Sequence, residues 1–338
     1  MSLRRIASAL NLSITTISRA LAGHSDVSEE TRQKIVDEAK RIGYVPNEMA
    51  RRLQNGRANA IGFVVPADPG ADASSIFLQH IRGIWSRLER ETLDLLVMAA
   101  SSGCDELSHY RRLVEGRRVD GMIVSSPRQT DERIDYLLQT RFPFVVIGHD
   151  RSRDTAVMSV ETDFSAAMRM AVQRLRDFGH RAVACVESEA TDASDDRFEA
   201  FRAACLESGI QGVELSVDDT IAAGVATTAN LMQHPVAPTA LVCKSAKLAF
   251  DVFQSLQSRG LAAGRDLSII CLEDSPLLRA CEPGITVVSQ SADKLAYQAT
   301  DTLLQMRGGL EPKRLFVQPE LTAGNTDGPP GGISSRPV

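Results

Sequence analysis

Residues 3–23 read LRRIASALNLSITTISRALAG, and this stretch has the pattern of two short helices joined by a tight turn. In the first helix, three apolar residues fall on one face at helical spacing: Ile6, Ala7 and Leu10. Asn11 follows at the turn, where asparagine tolerates the left-handed backbone conformation that a tight corner between helices needs. Ser13 can cap the next helix. The pattern predicts a helix-turn-helix.

The second helix has an apolar inner face and a polar outer face. By their spacing, Ile17, Ala20 and Leu21 turn inward. The outward side chains are small, methyl-bearing or able to hydrogen-bond, as a helix that enters a DNA major groove requires. They are Ile14, Thr15, Thr16, Ser18 and Arg19. We therefore expect this helix to read base edges.

A third helix is expected from its cap at Ser28 to Gly43, which ends it. The following segment, NEMARRLQNGR (residues 47–57), is too short to be stably helical alone. Two interpretations stay open for it. It is either a plain linker or a piece that folds on DNA, with Arg51 and Arg52 facing phosphates and Leu53 wedged into a minor-groove base step.

The run LRRIASALNLSITTISRALAG…VSEETRQKIVDEAKRIGYVPNEMARRLQNGR resembles the headpiece of the LacI/GalR family of bacterial repressors. The resemblance implies base contacts from Ile14, Thr15 and Arg19. It implies phosphate contacts from four further residues: Ser13, Thr16, Tyr44 and Asn47. It also implies that Leu53 is a hinge-helix leucine inserted at the centre of a pseudo-palindromic operator, with Ala50 beside it.

The charge of the chain is divided unevenly. Residues 1–60 hold ten Lys/Arg and six Asp/Glu, a net charge of +4, so that the rest carries −9 of a total of −5. A basic head on an acidic body indicates one part that meets phosphates and another that does not. A solvated helical surface would explain the modest excess equally well.

From residue 60 onward, short apolar runs alternate with amphipathic stretches. The runs include AIGFVV (60–65), GMIVSS (121–126), AVACVE (182–187) and LSIICL (267–272). Continuous Val/Ile/Leu strands separated by helices predict two α/β lobes with doubly wound parallel sheets. Ligands bind outside the carboxyl ends of such strands, so two facing lobes would hold a ligand in the cleft between them.

The resemblance continues over most of the body through motifs such as YRRLVEGRRVDGMIV, DDRFEAFRAACLESGI and LSIICLEDSP, which resemble the family's periplasmic-binding-protein-like core. It implies that Arg197 clamps the ligand, that Glu273 stands at the strand-end acidic position and that Asp163 lies at the crossover between lobes. Ser245-Ala246 replaces the family's Asn-Asp pair, which places Ser245 at the ligand site. The strings SSPRQTDERI and FPFVVIGHD are similar to members that sense α-glucosides or related oligosaccharides, which implies that Arg128 and His149 lie near the cleft.

These observations together predict a transcription regulator with a helix-turn-helix headpiece (residues 1–45), a hinge helix or linker (46–58), a two-lobed ligand-binding and dimerisation core (59–325) and a disordered tail (326–338). The expected partners are operator DNA, a sugar-like effector, either a mono- or an oligosaccharide, and a second copy of the chain. We expect no cofactor and no metal, since the six cysteines are scattered without ligand spacing.

Two other classes of protein fit the sequence less well. A solute-binding protein that serves a transporter would need a signal peptide and no helix-turn-helix. An enzyme on doubly wound lobes would need a recognisable motif, and the sequence has no GxGxxG, P-loop or GxSxG. Without a secretory segment or an apolar run of about 18 residues, the chain is expected to stay in the cytoplasm and out of the membrane.

Overall fold

The computed structural model describes residues 3–21, 26–44, 57–66, 70–100, 105–128, 130–148, 157–188, 197–218, 223–289, 292–306 and 311–331. It describes only the backbone of residues 70–75, Ser188, Arg197 and Ser289. The chain forms two compact units, Met1–Ala58 and Asn59–Val338. Each is described by itself.

The first unit is a three-helix headpiece whose described helices are α1 (Leu3–Leu10), α2 (Ile14–Leu21) and α3 (Glu29–Arg41). Ile6, Ile17 and Ile35 are fully buried and form the centre of its apolar core. Asn11 adopts a φ of 51° at the corner between α1 and α2, as its sequence position predicts. The helix-turn-helix prediction is therefore confirmed.

The second unit contains two lobes, each built on a six-stranded sheet. The strands are β1 (Ala60–Val65), β2 (Asp94–Ala99), β3 (Gly121–Ser125), β4 (Phe144–Ile147), β5 (Ser159–Thr162), β6 (Ala182–Ser188), β7 (Gln211–Val217), β8 (Ala240–Cys243), β9 (Ser268–Cys271), β10 (Thr286–Ser289), β11 (Arg314–Val317) and β12 (Glu320–Thr322). The helices are α4 (Gly70–Leu88), α5 (Glu106–Val114), α6 (Glu132–Gln139), α7 (Phe164–Asp177), α8 (Arg197–Ser208), α9 (Ala223–Gln233), α10 (Ala246–Ser258), α11 (Pro276–Arg279) and α12 (Ala292–Gln305).

Both sheets are parallel apart from one strand. The first has the order β11-β5-β4-β3-β1-β2 and the second β12-β10-β9-β8-β6-β7, in which only β12 runs antiparallel to its neighbour. The central strands β3, β4, β8 and β9 are buried along their whole length because helices cover both faces. Gly83 lets α4 approach α12, since a Cβ there would lie 2.1 Å from the carbonyl oxygen of Asp293. The predicted pair of parallel-sheet lobes is confirmed.

The chain crosses between the lobes three times, and the last crossing fixes how the sheets face each other. Val317 at the end of β11 pairs with Thr162 at the carboxyl end of β5. Glu320 at the start of β12 pairs with Ser289 at the carboxyl end of β10. Only residues 318 and 319 separate the two strands, a reach of about 10 Å for an extended chain. The carboxyl edges of the two sheets therefore lie next to each other.

The prediction of a disordered tail is wrong for residues 326–331, which pack against the second lobe. Thr326 is fully buried, accepts a hydrogen bond from the Thr286 N–H at 2.9 Å and donates one to the Ile269 carbonyl at 2.9 Å. His180, also buried, contacts the Gly328 carbonyl through Nε2 at 2.8 Å. The Gly/Pro-rich composition suggested disorder, but long-range hydrogen bonds to strand ends hold this segment. Residues 332–338 lie outside the described residues.

Candidate DNA interface and effector cleft

The exposed face of α2 carries the predicted base-reading residues. Ile14 is 45% exposed although it is apolar, and Thr15 and Arg19 are exposed beside it. Ile17 and Ala20 on the opposite face are buried in the headpiece core. The helix is thus oriented by its core, and the exposed face offers two methyl-bearing side chains and one guanidinium to a ligand.

Ser13 fixes the start of α2. Its Oγ accepts a hydrogen bond from the Thr16 N–H at 3.0 Å, and the two hydroxyls lie 2.8 Å apart. Both residues were predicted to contact phosphates, and their hydroxyls lie together at the N-terminal end of the helix, where backbone N–H groups favour anions. Ser18 is half-buried on the same helix.

The remaining DNA-contact predictions fall partly outside the described residues. Tyr44 directly follows α3, is half-buried against the headpiece core and donates its N–H to the Ala39 carbonyl at 2.8 Å. Asn47, Ala50, Arg51 and Leu53 lie outside the described residues. Sequence reasoning missed Asp26, which lies next to the predicted interface. Its carboxylate forms an ion pair with Arg19 at 2.7 Å.

In the second lobe, two predicted effector residues meet at the ends of β8 and β9. Glu273 Oε2 accepts a hydrogen bond from the Ala246 N–H at 2.9 Å. Ser245 caps α10 by accepting a hydrogen bond from the Leu248 N–H at 3.2 Å. Both side chains therefore bind the N-terminal turn of α10, at the carboxyl edge of the sheet. Arg197 begins α8, and its side chain lies outside the described part.

Asp163 lies at the first crossover between the lobes. Its Oδ1 accepts a hydrogen bond from the Ala166 N–H at 2.8 Å and so caps α7. Its Oδ2 accepts one from Gln318 Nε2 at 3.2 Å, in the last crossover. The carboxylate thus ties two crossovers together, a role that its sequence position alone did not indicate. His149 lies outside the described residues.

Arg128 follows β3 in the first lobe and is held by a network of charged side chains. Its Nη2 donates to Glu106 Oε2 at 2.5 Å, and its side chain is 55% exposed. The other oxygen of Glu106 accepts a hydrogen bond from Arg133 Nη1 at 2.8 Å. Glu106 therefore joins an exposed guanidinium at the carboxyl edge to a buried one beneath it.

Arg133 is 2% exposed and anchors the loop that carries Arg128. It donates to both carboxylate oxygens of Asp131, at 2.9 and 2.6 Å, and to the Ser126 carbonyl at 3.0 Å. Burial alone would raise the pKa of Asp131, but the hydrogen bonds and positive charge of Arg133 outweigh it and hold that pKa below its ordinary value. The loop is therefore fixed by ionised groups that compensate one another.

Sequence reasoning also missed a buried ion pair between Lys244 and Glu187, whose side chains are 4% and 8% exposed. Glu187 lies near the end of β6 and Lys244 directly after β8, the neighbouring strand. The available signal was a charged residue at the end of two apolar runs, VACVE and ALVCK. Their pairing follows only from the strand register.

Among the described residues, no helix is both long and apolar enough to cross a membrane. In the same part of the chain, no group of three or more His, Cys, Asp or Glu side chains is arranged to hold a metal ion.

A helix-turn-helix joined to two lobes with adjacent carboxyl edges defines a DNA-binding regulator with a ligand-binding core. Residues 2–47 match the model of bacterial regulatory proteins of the lacI family, and residues 172–326 match the periplasmic binding protein-like domain. The HTH-type transcriptional regulator RafR of Escherichia coli is 33% identical over 322 residues, which cover 94% of this chain and 95% of RafR. The chain belongs to the LacI family of bacterial transcription regulators.

Further relatives agree with this assignment. The HTH-type transcriptional regulator AglR of Rhizobium meliloti (strain 1021) is 31% identical over 82% of this chain and 80% of its own. The structure of the lac repressor dimer bound to operator and the anti-inducer ONPF matches with a TM-score of 0.77 at 21% identity, over 96% of this chain and 98% of that one. At that identity the structural match shows the fold. The protein is a sequence-specific DNA-binding transcription regulator.

Proposed function

We propose that the protein is a homodimeric repressor whose affinity for a pseudo-palindromic operator is controlled by a small sugar-like effector held between the two lobes. The observation that carries the proposal is the exposed face of α2, where Ile14, Thr15 and Arg19 are presented by a helix whose other face is buried. One headpiece reads one half-site, so two copies match a two-fold symmetric operator.

In this proposal Ile14, Thr15 and Arg19 contact base edges, with Ser18 beside them. The phosphate contacts come from Ser13, Thr16, Tyr44, Asn47 and Arg51. Leu53, with Ala50 beside it, enters a base step at the centre of the operator. The clustering of the Ser13 and Thr16 hydroxyls at the start of α2 supports the phosphate role.

The effector side is supported by the adjacent carboxyl edges of the two sheets. Residues from both edges form the proposed site: Arg128, His149 and Asp163 from the first lobe and the crossover, and Arg197, Ser245 and Glu273 from the second. One solved relative, "transcriptional regulator CelR-cellobiose complex", holds a sugar and matches over 96% of this chain with a TM-score of 0.68 at 23% identity. Within this proposal, the more specific form is that the sugar-like effector is an oligosaccharide.

Effector and operator affect each other through the lobes. If the effector weakens operator binding by a given factor, the operator weakens effector binding by the same factor. Because the crossovers pass through Asp163 and Gln318, a change in the angle between the lobes must change this hydrogen-bonded joint. We assign no catalytic step to the protein, and we propose that it acts on DNA in the cytoplasm.

The first lobe offers an apolar surface for a second copy. Leu78 and Trp85, seven residues apart on α4, are 68% and 49% exposed, and Val97 on the edge strand β2 is 39% exposed. Exposed apolar side chains of this size mark association surfaces when they are contiguous. Trp85 is the single tryptophan of the chain, so its fluorescence reports directly on association.

The test is a fluorescence-anisotropy titration against the DNA upstream of the protein's own and neighbouring genes, at stated salt, with and without sugars. We expect tight binding to a pseudo-palindrome and release or tightening with one sugar. Arg197→Ala should abolish the sugar response and leave operator affinity intact, whereas Arg202→Ala on the same helix should change neither. Absence of specific DNA binding under all conditions would refute the regulator assignment.

A further inference from the structure

We propose that the buried Lys244–Glu187 ion pair is a specificity subsite that binds two adjacent hydroxyls of a neutral sugar. This inference rests on the proposed function, because it names the chemistry by which the same cleft selects its effector. Lys244 would donate to one hydroxyl oxygen, and Glu187 would accept a hydrogen bond from the next.

The place of the pair in the fold supports this role. Val186 is in register with Cys243, so Glu187 and Lys244 are the next pair along neighbouring strands, at the carboxyl edge of the second sheet. The same edge carries Glu273 and Ser245, and the edge of the first sheet lies next to it across the crossovers. Ligands of parallel sheets bind at such an edge.

The energetics of the pair point to a purpose other than stability. A buried ion pair costs more to desolvate than an apolar pair of the same size, and its replacement by apolar residues is often neutral or stabilising. Phe198 lies beside it, with the Lys244 ammonium 4.8 Å from the centre of its ring. Phe198 directly follows Arg197 at the start of α8, so the ring that the ammonium contacts is the chain neighbour of the proposed clamp residue.

The charges at the two edges favour a neutral ligand over an acidic one. Among the side chains that the structure describes at these edges, Lys244 is balanced by Glu187, Arg128 and Arg133 are balanced by Glu106 and Asp131, and Glu273 and Asp163 add two further carboxylates. A uronate or a sugar phosphate needs a cation as its partner. The cations placed here are already paired with carboxylates, which would also repel an acidic ligand. A hydroxyl pair can use donor and acceptor together without breaking the charge balance.

The experiment combines a sugar panel with a paired substitution. Thermal shift and calorimetry of the full chain would be run with sucrose, maltose, trehalose, melibiose and raffinose, and with glucuronate, galacturonate and glucose 6-phosphate. We expect a neutral sugar to raise the Tm and the acidic compounds to have no effect. An acidic compound as the tightest ligand would overturn the proposal.

The double variant Glu187→Leu with Lys244→Met separates binding from stability. Either single variant leaves a buried charge without its partner and is expected to be destabilised, whereas the double variant removes both charges and should recover a Tm near that of the parent protein. We expect it to bind the operator as the parent does and to lose tenfold or more in affinity for the neutral sugar. An unchanged sugar affinity in the folded double variant would show that the pair is structural only.

The exposed pair Arg202–Glu214 on the same lobe provides a matched control, since Arg202→Met with Glu214→Leu should leave sugar affinity unchanged. If the parent chain binds no operator but binds a neutral sugar through Lys244 and Glu187, the proposed function fails and the subsite stands. If the operator is bound and the sugar affinity does not depend on this pair, the proposed function stands and the subsite fails.

Discussion

Arg19 Nη2 lies 2.7 Å from Asp26 Oδ2, and the two side chains are 49% and 52% exposed. The ion pair connects a predicted base-reading residue on α2 to a carboxylate just before α3. An exposed pair of this kind contributes at most about 1 kcal/mol, so a guanine edge or a phosphate can replace the carboxylate at little cost. Asp26 therefore competes with DNA for Arg19.

Asp26→Asn should strengthen operator binding about two- to fivefold, because it removes the competing carboxylate and a negative charge near the phosphates. Anisotropy titrations at two salt concentrations would measure the change. Asp37→Asn on α3 alters the net charge equally without touching Arg19 and is the matched control. An equal gain in both variants would mean that only net charge matters.

Glu106→Gln should weaken binding of whichever sugar of the panel binds the parent protein, by about tenfold, while operator affinity without sugar stays unchanged. The reason is geometric, because Glu106 holds the exposed guanidinium of Arg128. Arg133 retains its hydrogen bonds to Asp131 in the variant, so the variant should still fold. Calorimetry gives the sugar affinity directly. Glu115→Gln, at an exposed carboxylate that accepts a hydrogen bond from Tyr136, is the control, and an equal effect there would remove Glu106 from the positioning role.

His80 makes the stability of the first lobe depend on pH. Burial between Phe63 and Phe77 lowers its pKa from 6.5 to about 4. Between these two pH values the unfolded chain binds more protons than the folded one. The free energy of unfolding therefore falls as the pH drops from about 6.5 to about 4, by up to about 3 kcal/mol.

His80→Leu should remove this contribution. As the pH falls through that window, the free energy of unfolding should therefore fall less in the variant than in the parent protein. Urea unfolding at pH 7, 6 and 5 would measure it. His180 has a lowered pKa from burial and contributes with the same sign, so some pH dependence remains. If the half-exposed variant His109→Leu changed the slope as much as His80→Leu, the assignment to His80 would be wrong.

Thr326→Val should destabilise the core by about 1–3 kcal/mol, because the Thr286 N–H and the Ile269 carbonyl lose a buried partner. The midpoint of urea unfolding measures the loss. Thr322→Val changes an exposed threonine nearby and should have little effect. A midpoint unchanged by Thr326→Val would mean that the two hydrogen bonds of the Thr326 hydroxyl contribute nothing to stability.

The parts of the fold that depend on local pattern could be predicted from the sequence. The left-handed turn at Asn11, the cap at Ser13 and the buried strands around residues 182–187 and 240–243 each follow from a few neighbouring residues. The edge strand β7 was missed because its exposed Gln211 and Glu214 interrupt the apolar run. The helix α12 and the strand β10 before it were missed, although the run ITVVS (285–289) has the pattern of a buried strand.

The candidate effector site was less accessible to sequence reasoning. Ser245, Glu273 and Asp163 were predicted from their positions in the chain, but the helix N-termini that bind their side-chain oxygens depend on tertiary packing. The partners Lys244 and Glu187 lie on different strands, and only the register of β6 against β8 brings them together. Short-range sequence patterns show where a strand ends at the carboxyl edge of a sheet. Which side chains pair at that edge depends on segments that are distant in the sequence.

The last crossover also bears on the order in which the protein is made. The strands β11 and β12 are synthesised after the other strands of their sheets, so neither sheet can be completed until residues 314–322 have left the ribosome. The described residues of the headpiece core all lie between Leu3 and Tyr44. During each round of synthesis, the DNA-binding headpiece can therefore fold before the two lobes of the core are complete.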